Sequence, residues 1–254
     1  MTGRLAIVGL GPGAPELTTP LASGTLAAAT DLVGYAPYLA RVPERPGQRR
    51  HESDNREELA RAKQALELAA AGKSVAVVSS GDPGVFAMAS AVFEAIETGK
   101  PAWRDIDVTV VPGVSAMLAA AARIGAPLGH DFCVISLSDN LKPWDVVLKR
   151  LEAAASGDFI IVLYNPASKA RPWQLAEALS LIARHRAGTT PVIFAHAVSR
   201  PDERIDITTL AGADPAQADM RTLIIIGSSA TKLITGSNGK RFVYTPRHLE
   251  LVES

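Results

Sequence analysis

The chain has 254 residues, and its apolar content of 47% is enough for one large core or two modest ones. Lys and Arg together number 26, as do Asp and Glu, so the net charge is zero and no overall field favours nucleic acid or an anionic membrane. The sequence has neither a signal-peptide pattern nor an apolar stretch long enough to cross a bilayer, which predicts a cytoplasmic protein without a membrane partner.

Segments rich in Val and Ile alternate with Ala-rich helical segments, the pattern of a parallel α/β fold. The first half predicts strands at 4–9, 32–34, 75–78 and 108–111, helices at 20–29, 55–71, 84–98 and 114–124, and a polar loop at 41–54. The second half predicts strands at 132–137, 159–163, 191–195 and 223–226, helices at 143–155 and 172–186, and an edge hairpin near 204–210. Because 124–129 is typical of a linker, we expect two α/β domains, 1–126 and 127–254, with a ligand cleft between them.

The first strand ends in a glycine turn, Gly-Leu-Gly-Pro-Gly at 9–13, that does not open a helix. The helix start signal comes later, where Thr19 is a good cap and Pro20 suits the first helical position. In a dinucleotide-binding fold the turn leads directly into a helix whose amides hold the pyrophosphate. Pro12 also lacks one of those amides. The turn therefore favours a ligand other than a pyrophosphate.

Two more turns follow predicted strands, Ser-Ser-Gly-Asp-Pro-Gly at 79–84 and Val-Pro-Gly-Val-Ser-Ala at 111–116. Ligands of open α/β sheets bind at such strand ends. Asp82 can cap the next helix with Pro83 at its first position, and a plain helix cap is the alternative interpretation of that turn. Because the three turns carry no P-loop lysine and Asp82 is their only formal charge, they suit an adenosine with a cationic sulfonium better than a triphosphate.

In this order and spacing, the three turns resemble the tetrapyrrole methylase family, and the resemblance covers essentially the full chain. Its members are S-adenosylmethionine-dependent (class III) methyltransferases of two α/β domains, with the active site in the cleft between them. In the second half, the motifs at 135–139, 143–144, 163–169 and 171–174 are similar to one branch of the family. That branch methylates carbon 17 of precorrin-3B and contracts the ring to precorrin-4 in cobalamin biosynthesis.

The resemblance implies S-adenosylmethionine as the methyl donor, S-adenosylhomocysteine as its product, a precorrin-type tetrapyrrole as substrate, and a homodimer. The residues that it implies for donor binding are Pro12, Ser80, Gly81, Asp82, Val85, Ser115 and Ala116 in the first half and Asn165, Ala197 and Thr222 in the second. One position departs from the family. Uroporphyrinogen methylases carry a proposed catalytic aspartate directly after the tyrosine of the second strand, but here Ala36 follows Tyr35, so that base cannot be transferred.

A precorrin carries several carboxylates, so a net-neutral enzyme needs local cations to bind it. The segment 41–50 supplies four arginines, as a carboxylate clamp, a dimer contact or a solvated loop. Lys142, Lys169 and Arg171 lie past predicted strand ends. Trp144 and Trp173 follow prolines at helix starts, either as core residues or as surfaces for stacking on the macrocycle.

Methyl transfer to an electron-rich carbon requires positioning, whereas ring contraction gains from a base near the carbon 20 hydroxyl and a donor near the lactone oxygen. The candidate catalytic residues are His130, Asp139, Lys142 and Tyr164, each with a structural role as the alternative. Cys133 lies in an apolar strand, which favours a core thiol over a nucleophile. The five histidines lack metal-ligand spacing, so we expect no metal.

Several alternatives remain open within the family. The chain can instead methylate carbon 11 of precorrin-4, or carbon 17 of the cobalt-containing counterpart, cobalt-factor III. More distant relatives methylate diphthamide or ribosomal RNA, and the RNA option fits poorly with zero net charge. From a different class, a non-enzymatic nucleotide-sensing module would also place glycine turns at strand ends. Nucleic acid is not an expected partner.

Overall fold

The computed structural model describes residues 3–54, 57–168 and 171–248. The chain divides into two compact units between Ala116 and Met117. The expected boundary at 126/127 lies ten residues later, and the assignment of a role to each domain stays a prediction.

The first unit contains a five-stranded parallel sheet in the order β3-β2-β4-β1-β5. Its strands are β1 (Arg4–Gly9), β2 (Asp31–Tyr35), β3 (Arg49–Ser53), β4 (Ser74–Ser79) and β5 (Asp107–Val111). Its helices are α1 (Pro20–Ala28), α2 (Ala36–Leu39), α3 (Glu58–Ala70) and α4 (Met88–Thr98). Successive residues of the buried central strands point to opposite faces, so Ile7 packs in one core with α3 and α4 and Val8 in another with α1.

The start of α1 follows the predicted signal. The Thr19 hydroxyl accepts a hydrogen bond from Ala22 N at 3.1 Å, and Pro20 is the first helical residue. Between the glycine turn and α1 lies only a short 3-10 turn, Pro15–Leu17. The glycine turn therefore does not open a helix, as predicted.

Two predictions for the first unit are wrong. β3 lies in the stretch predicted as a polar loop, where its residues pair with β2 through the main chain although no apolar alternation marks them. Helix α4 begins at Met88 instead of residue 84, and Ala87 is its cap, so Asp82 is not a helix cap. Residues 83–87 form a turn in which Phe86 has a left-handed backbone, with φ of 51°.

The second unit contains a mixed sheet in the order β10-β9-β11-β8-β7. Its strands are β7 (Phe132–Ser136), β8 (Ile160–Tyr164), β9 (Pro191–His196), β10 (Arg204–Thr209) and β11 (Thr222–Ile226), and its helices are α5 (Ala116–Ile124), α6 (Trp144–Ser156) and α7 (Gln174–Ile182). β7 and β8 are parallel, whereas β11 runs antiparallel to β8 and β9, and β10 is an antiparallel edge strand. Parallel pairing thus covers only part of this sheet.

A small third sheet uses the segment predicted as a linker. β6 (Gly125–Ala126) pairs with β13 (Arg241–Tyr244), which in turn pairs with β12 (Lys232–Thr235). Gly125 has φ of 128°, and a Cβ there would lie 2.7 Å from the carbonyl oxygen of Val243. The glycine therefore permits a close backbone approach within a sheet rather than flexibility in a linker.

Candidate functional site

The three turns identified in the sequence lie side by side in the first unit. β4, β1 and β5 are consecutive and parallel in the sheet, so their carboxyl ends meet at one edge. Gly81 N donates to Gly11 O at 2.9 Å and Gly11 N donates to Gly81 O at 3.2 Å, which joins the first turn to the second. Both glycines have left-handed backbones, with φ of 71° for Gly11 and 64° for Gly81. We call the combined surface of 9–13, 79–84 and 111–116 the three-turn site.

The turns approach so closely that side chains would not fit between them. A Cβ on Gly113 would lie 2.2 Å from the carbonyl oxygen of Gly81, and a Cβ on Gly9 would lie 2.6 Å from the same oxygen. All of the obstructing atoms are backbone, which cannot rotate away. Glycine at these positions therefore sets the backbone spacing of the site.

Asp82 connects the second turn to the third. Its Oδ1 accepts from Gly84 N at 2.8 Å, and its Oδ2 accepts from Gly113 N at 3.1 Å. The carboxylate is half-buried and remains the only formal charge in the three turns. It therefore brings negative charge to the site while it fixes the third turn.

The first turn is poorly suited to phosphate. Leu10 N donates to Ser79 O at 2.8 Å, Gly11 N is bonded to Gly81, and Pro12 has no N–H. Three successive residues thus have no N–H available for an anion. This arrangement supports the prediction that the ligand is not a pyrophosphate.

Ser115 in the third turn carries a buried hydroxyl. The residue is 4% exposed, and within the described residues its Oγ makes no hydrogen bond. Buried polar groups are nearly always paired with protein, water or ligand. The other predicted residues of the first unit are placed as follows. Ala116 is half-buried and starts α5, and Pro12 is buried in the first turn. Val85 N donates to the backbone oxygen of Asp82 at 3.3 Å.

Sequence reasoning missed the part that Arg41 plays here. Its Nη2 donates to the carbonyl oxygens of Leu10, Gly11 and Gly13 at 2.9, 3.0 and 3.5 Å, and its Nη1 donates to Ser80 Oγ at 3.3 Å. These atoms belong to the first and second turns of the site. A single sequence holds no signal for this contact, because the arginine lies some thirty residues away from the turn.

Another arginine of the segment 41–50 is also bound to backbone. Arg50 donates to Leu39 O at 2.8 Å and to Val42 O at 2.7 Å. A freely solvated loop, one of the three alternatives, is therefore wrong for Arg41 and Arg50.

In the second unit, three predicted donor-binding residues gather at one edge of the sheet. Asn165 follows β8 and Ala197 follows β9, and Thr222 starts the antiparallel β11 and pairs in register with His196. Asn165 and Ala197 have left-handed backbones, with φ of 52° and 48°. Such conformations in non-glycine residues cost free energy and concentrate at ligand sites.

Side-chain contacts hold this edge in place. Asn165 Nδ2 donates to Ser136 Oγ at 3.0 Å, whereas Thr222 Oγ1 donates to Asp219 Oδ1 at 2.8 Å and accepts from Asp219 N at 3.1 Å. His196 Nδ1 lies 3.2 Å from Asp219 Oδ1. Burial raises the pKa of Asp219, but the hydrogen bonds from Thr222 and a backbone N–H, with the neighbouring His196, outweigh it and leave the pKa below its usual value. The Thr222 hydroxyl is thus already engaged within the protein.

The structure separates the four catalytic candidates. Asp139 follows β7 and Tyr164 ends β8, its parallel neighbour, so both lie at the carboxyl edge of that pair. His130 precedes β7, at the opposite end, and its Nδ1 accepts from Asp131 N at 2.8 Å. The structure therefore does not bring His130 to Asp139 and Tyr164.

The remaining candidates have visible structural contacts. Tyr164 Oη accepts from Met117 N at 3.1 Å, at the start of α5. Asp139 accepts from Gln174 Nε2 at 3.2 Å and lies 3.7 Å from Arg171 Nε. Lys142 is half-buried, and burial, with a smaller effect of Arg150, lowers the pKa of its amine.

The other substrate-side residues are placed as follows. Arg171 is 8% exposed and donates to Leu137 O at 3.3 Å, so it is tied to the protein backbone. Lys169 lies outside the described residues. So does Asn55, the first residue of the helix predicted at 55–71. Trp144 and Trp173 contact each other edge-to-face with ring centroids 5.2 Å apart.

Cys133 is half-buried, and burial raises the pKa of its thiol, which suits a core residue better than a nucleophile. Within the described ranges, no group of three or more His, Cys, Asp or Glu side chains is arranged to hold a metal ion. In the same part of the chain, no helix has the length and apolar character needed to span a membrane.

The family model for Tetrapyrrole (Corrin/Porphyrin) Methylases matches residues 4–214. The chain is 56% identical over 247 residues to a precorrin-3B C(17)-methyltransferase of Sinorhizobium sp, with 97% of each chain covered. It is 40% identical to a probable cobalt-factor III C(17)-methyltransferase of Salmonella typhimurium, with 96% of this chain and 98% of the relative covered.

Solved structures give the same result. The crystal structure of the methyltransferase CobJ is 50% identical and superposes with a TM-score of 0.91, covering 96% of this chain and 100% of that one. A uroporphyrin-III C-methyl transferase from Thermus thermophilus, complexed with S-adenyl homocysteine, is 25% identical with a TM-score of 0.66, covering 89% of this chain and 97% of its own.

Proposed function

The chain belongs to the tetrapyrrole (corrin/porphyrin) methylase family, and from this membership we propose that it methylates carbon 17 of precorrin-3B in cobalamin biosynthesis. The observation that supports this choice of substrate is the 56% identity to a precorrin-3B C(17)-methyltransferase across 97% of both chains. We propose that the chain also contracts the macrocycle to precorrin-4, as its resemblance to the precorrin-3B branch of the family implies.

We propose S-adenosylmethionine as the methyl donor. The family relative from Thermus thermophilus that is complexed with S-adenyl homocysteine supports this choice. The first unit offers a fitting site, because the buried Ser115 hydroxyl makes no hydrogen bond within the described residues and the glycines let the three turns pack closely against one another. When bound, the donor supplies an electrophilic methyl group on a sulfonium. The residues proposed to hold it are Pro12, Ser80, Gly81, Asp82, Val85, Ser115 and Ala116, with Asn165, Ala197 and Thr222 from the second unit.

Within the three turns themselves, Asp82 carries the only formal charge, while the guanidinium of Arg41 is bonded to carbonyl oxygens of the first turn. Asp82 is half-buried, and its two carboxylate oxygens accept hydrogen bonds from the backbone N–H groups of Gly84 and Gly113. A carboxylate at this place attracts a sulfonium and repels a phosphate. The first turn also disfavours phosphate, because the N–H groups of Leu10 and Gly11 are already bonded to carbonyl oxygens.

For ring contraction, we propose that the proton-transfer groups come from Asp139, Lys142 and Tyr164. The lowered pKa of Lys142 increases the fraction of neutral amine that can accept a proton. Asp139 is oriented by Gln174 and Arg171. His130 is not retained, because it lies at the other end of β7 from Asp139.

The reaction itself tests the proposal. Purified protein is incubated separately with precorrin-3B, precorrin-4 and cobalt-factor III, each with S-adenosylmethionine that carries a ¹³C-labelled methyl group, and the products are examined by mass spectrometry and carbon NMR. We expect one added methyl group, located on carbon 17 of a contracted ring. A methyl group on carbon 11 of precorrin-4 would contradict the proposal, and turnover of cobalt-factor III alone would replace the metal-free substrate with its cobalt counterpart. Release of a nucleoside phosphate from the denatured protein would favour the nucleotide-sensing alternative.

A further inference from the structure

We infer that Arg41 is a positioning residue that holds the first two turns of the three-turn site in the conformation that binds the methyl donor. The inference rests on the proposed donor site. Arg41 donates to three carbonyl oxygens of the glycine turn and to the hydroxyl of Ser80 in the second turn. It acts through the backbone of the first turn and through the Ser80 hydroxyl of the second.

The glycine turn needs such a partner for a physical reason. The carbonyls of Leu10, Gly11 and Gly13 all direct their oxygens to one guanidinium nitrogen, at 2.9, 3.0 and 3.5 Å. Carbonyl dipoles that converge on one point repel one another unless a positive charge lies there. Charge-assisted hydrogen bonds are also stronger than neutral ones. Removal of the guanidinium therefore favours other backbone conformations, which are accessible because glycine restricts the chain so little.

The opposite side of the turn is already fixed. Leu10 N and Gly11 N are bonded to Ser79 O and Gly81 O, which anchors the turn to the second turn. On the carbonyl side, Leu10 O also accepts from Thr18 Oγ1 at 3.0 Å and Gly11 O from Gly81 N at 2.9 Å, and Arg41 adds the positive charge on which the carbonyls converge. A ligand that binds a preorganised surface loses less free energy to ordering the protein. Arg41 thus contributes to donor affinity by keeping the turns ordered before binding.

The chain supplies a matched control for this role. Arg61 in α3 is another arginine of the first unit. It is buried, 5% exposed, whereas Arg41 is half-buried, and it donates to the backbone carbonyl of Asp54 and to the hydroxyl of Ser53, both at 2.7 Å. It does not contact the three-turn site through these bonds. Arg61→Ala therefore also removes a guanidinium that donates to a backbone carbonyl and a serine hydroxyl, but it should lower stability without changing donor affinity.

The experiment compares wild type, Arg41→Ala, Arg41→Lys and Arg61→Ala. Affinity for S-adenosylhomocysteine is measured by titration calorimetry, stability by thermal unfolding, and KM separately for the donor and for precorrin-3B. We expect Arg41→Ala to raise the Kd by about tenfold to a hundredfold, the loss seen when a residue that orients the ligands of a metal site is removed. The Kd of Arg41→Lys should lie between those of wild type and Arg41→Ala, since the ammonium of lysine cannot reproduce the planar set of donors of a guanidinium. Added guanidinium ion should partly restore binding to Arg41→Ala, and Arg61→Ala should unfold at a lower temperature with an unchanged Kd.

Each other result has a defined meaning. If wild type and Arg41→Ala bind S-adenosylhomocysteine equally well, the inference fails while the proposed function stands. The inference also fails if Arg61→Ala weakens binding as much as Arg41→Ala, or if only the KM for precorrin-3B rises, which would make Arg41 a carboxylate clamp. If wild type does not bind the compound, the proposed donor site and this inference both fail. Should Arg41→Ala not fold, Arg41→Lys carries the same comparison.

Discussion

Asp82 shows how one side chain can serve both the conformation and the charge of a site. Its two oxygens bond the amides of Gly84 and Gly113, while its charge remains available to a cationic ligand. The sequence indicated its importance but assigned the wrong contact, because helix α4 begins six residues after it, at Met88. Sequence alone shows that Asp82 follows a strand. It does not show that Asp82 binds Gly113, because that residue lies on another turn and meets Asp82 only in the folded protein.

The two roles of Asp82 can be separated by two substitutions. Asp82→Asn keeps one of the two acceptor oxygens, which can serve Gly113 N, and removes the charge. It should weaken binding of S-adenosylmethionine by about fivefold, since a partly exposed charge pair contributes about 1 kcal/mol. It should change the affinity for the uncharged sulfide S-adenosylhomocysteine much less. Asp82→Ala should weaken both, because Gly113 N loses its acceptor as well. Titration calorimetry with both compounds decides, and equal losses for both compounds in Asp82→Asn would contradict a role for the charge.

At the scale of elements, β3 illustrates a strand that sequence patterning cannot identify. It is a polar edge strand whose pairing with β2 is made by the main chain. The pair is reinforced by Asp31, a 2% exposed carboxylate at the start of β2 that lies 2.8 Å from His51 Nε2 and accepts from Thr30 Oγ1 at 2.8 Å. Burial raises the pKa of Asp31, but the hydrogen bonds from His51 and Thr30 outweigh it and lower the pKa overall.

This lowered pKa makes the stability of the β2–β3 region sensitive to acid. Because the folded-state pKa lies below the unfolded value of about 3.9, the contribution of Asp31 is complete above that value and is lost as the pH falls through the folded-state pKa. We expect Asp31→Asn to be less stable than wild type at neutral pH and to lose less stability on acidification. Urea unfolding between about pH 7 and pH 3 measures both slopes. Parallel slopes for the two proteins would show that Asp31 does not contribute in this way.

At the scale of the whole molecule, each unit has its own sheet and its own buried core. In the first unit, β5 is an edge strand on which Val110 is 40% exposed. Exposed apolar edges of sheets are usually covered in the native assembly. This feature agrees with the homodimer that the family resemblance implies, and the dimer stays a proposal.

Light scattering on the purified protein checks the assembly. We expect a mass twice that of one chain, independent of concentration over the micromolar range. Val110→Lys should shift the population towards monomer if β5 lies in the interface, because a charged edge strand opposes pairing. A wild-type protein that elutes only as a monomer would contradict the dimer.

The sequence by itself determined the α/β class, the three turns and the family, because strand patterning, glycine and proline are local signals that act over a few residues. It also placed the Thr19 cap of α1 correctly, since capping needs only neighbouring atoms. Only the tertiary structure decided that Asp82 binds Gly113, that Arg41 holds the glycine turn, and that His130 lies apart from Asp139. These relations join residues that are distant in the chain, and the free energy that selects them comes from packing and hydrogen bonds that form only when the sheets are assembled.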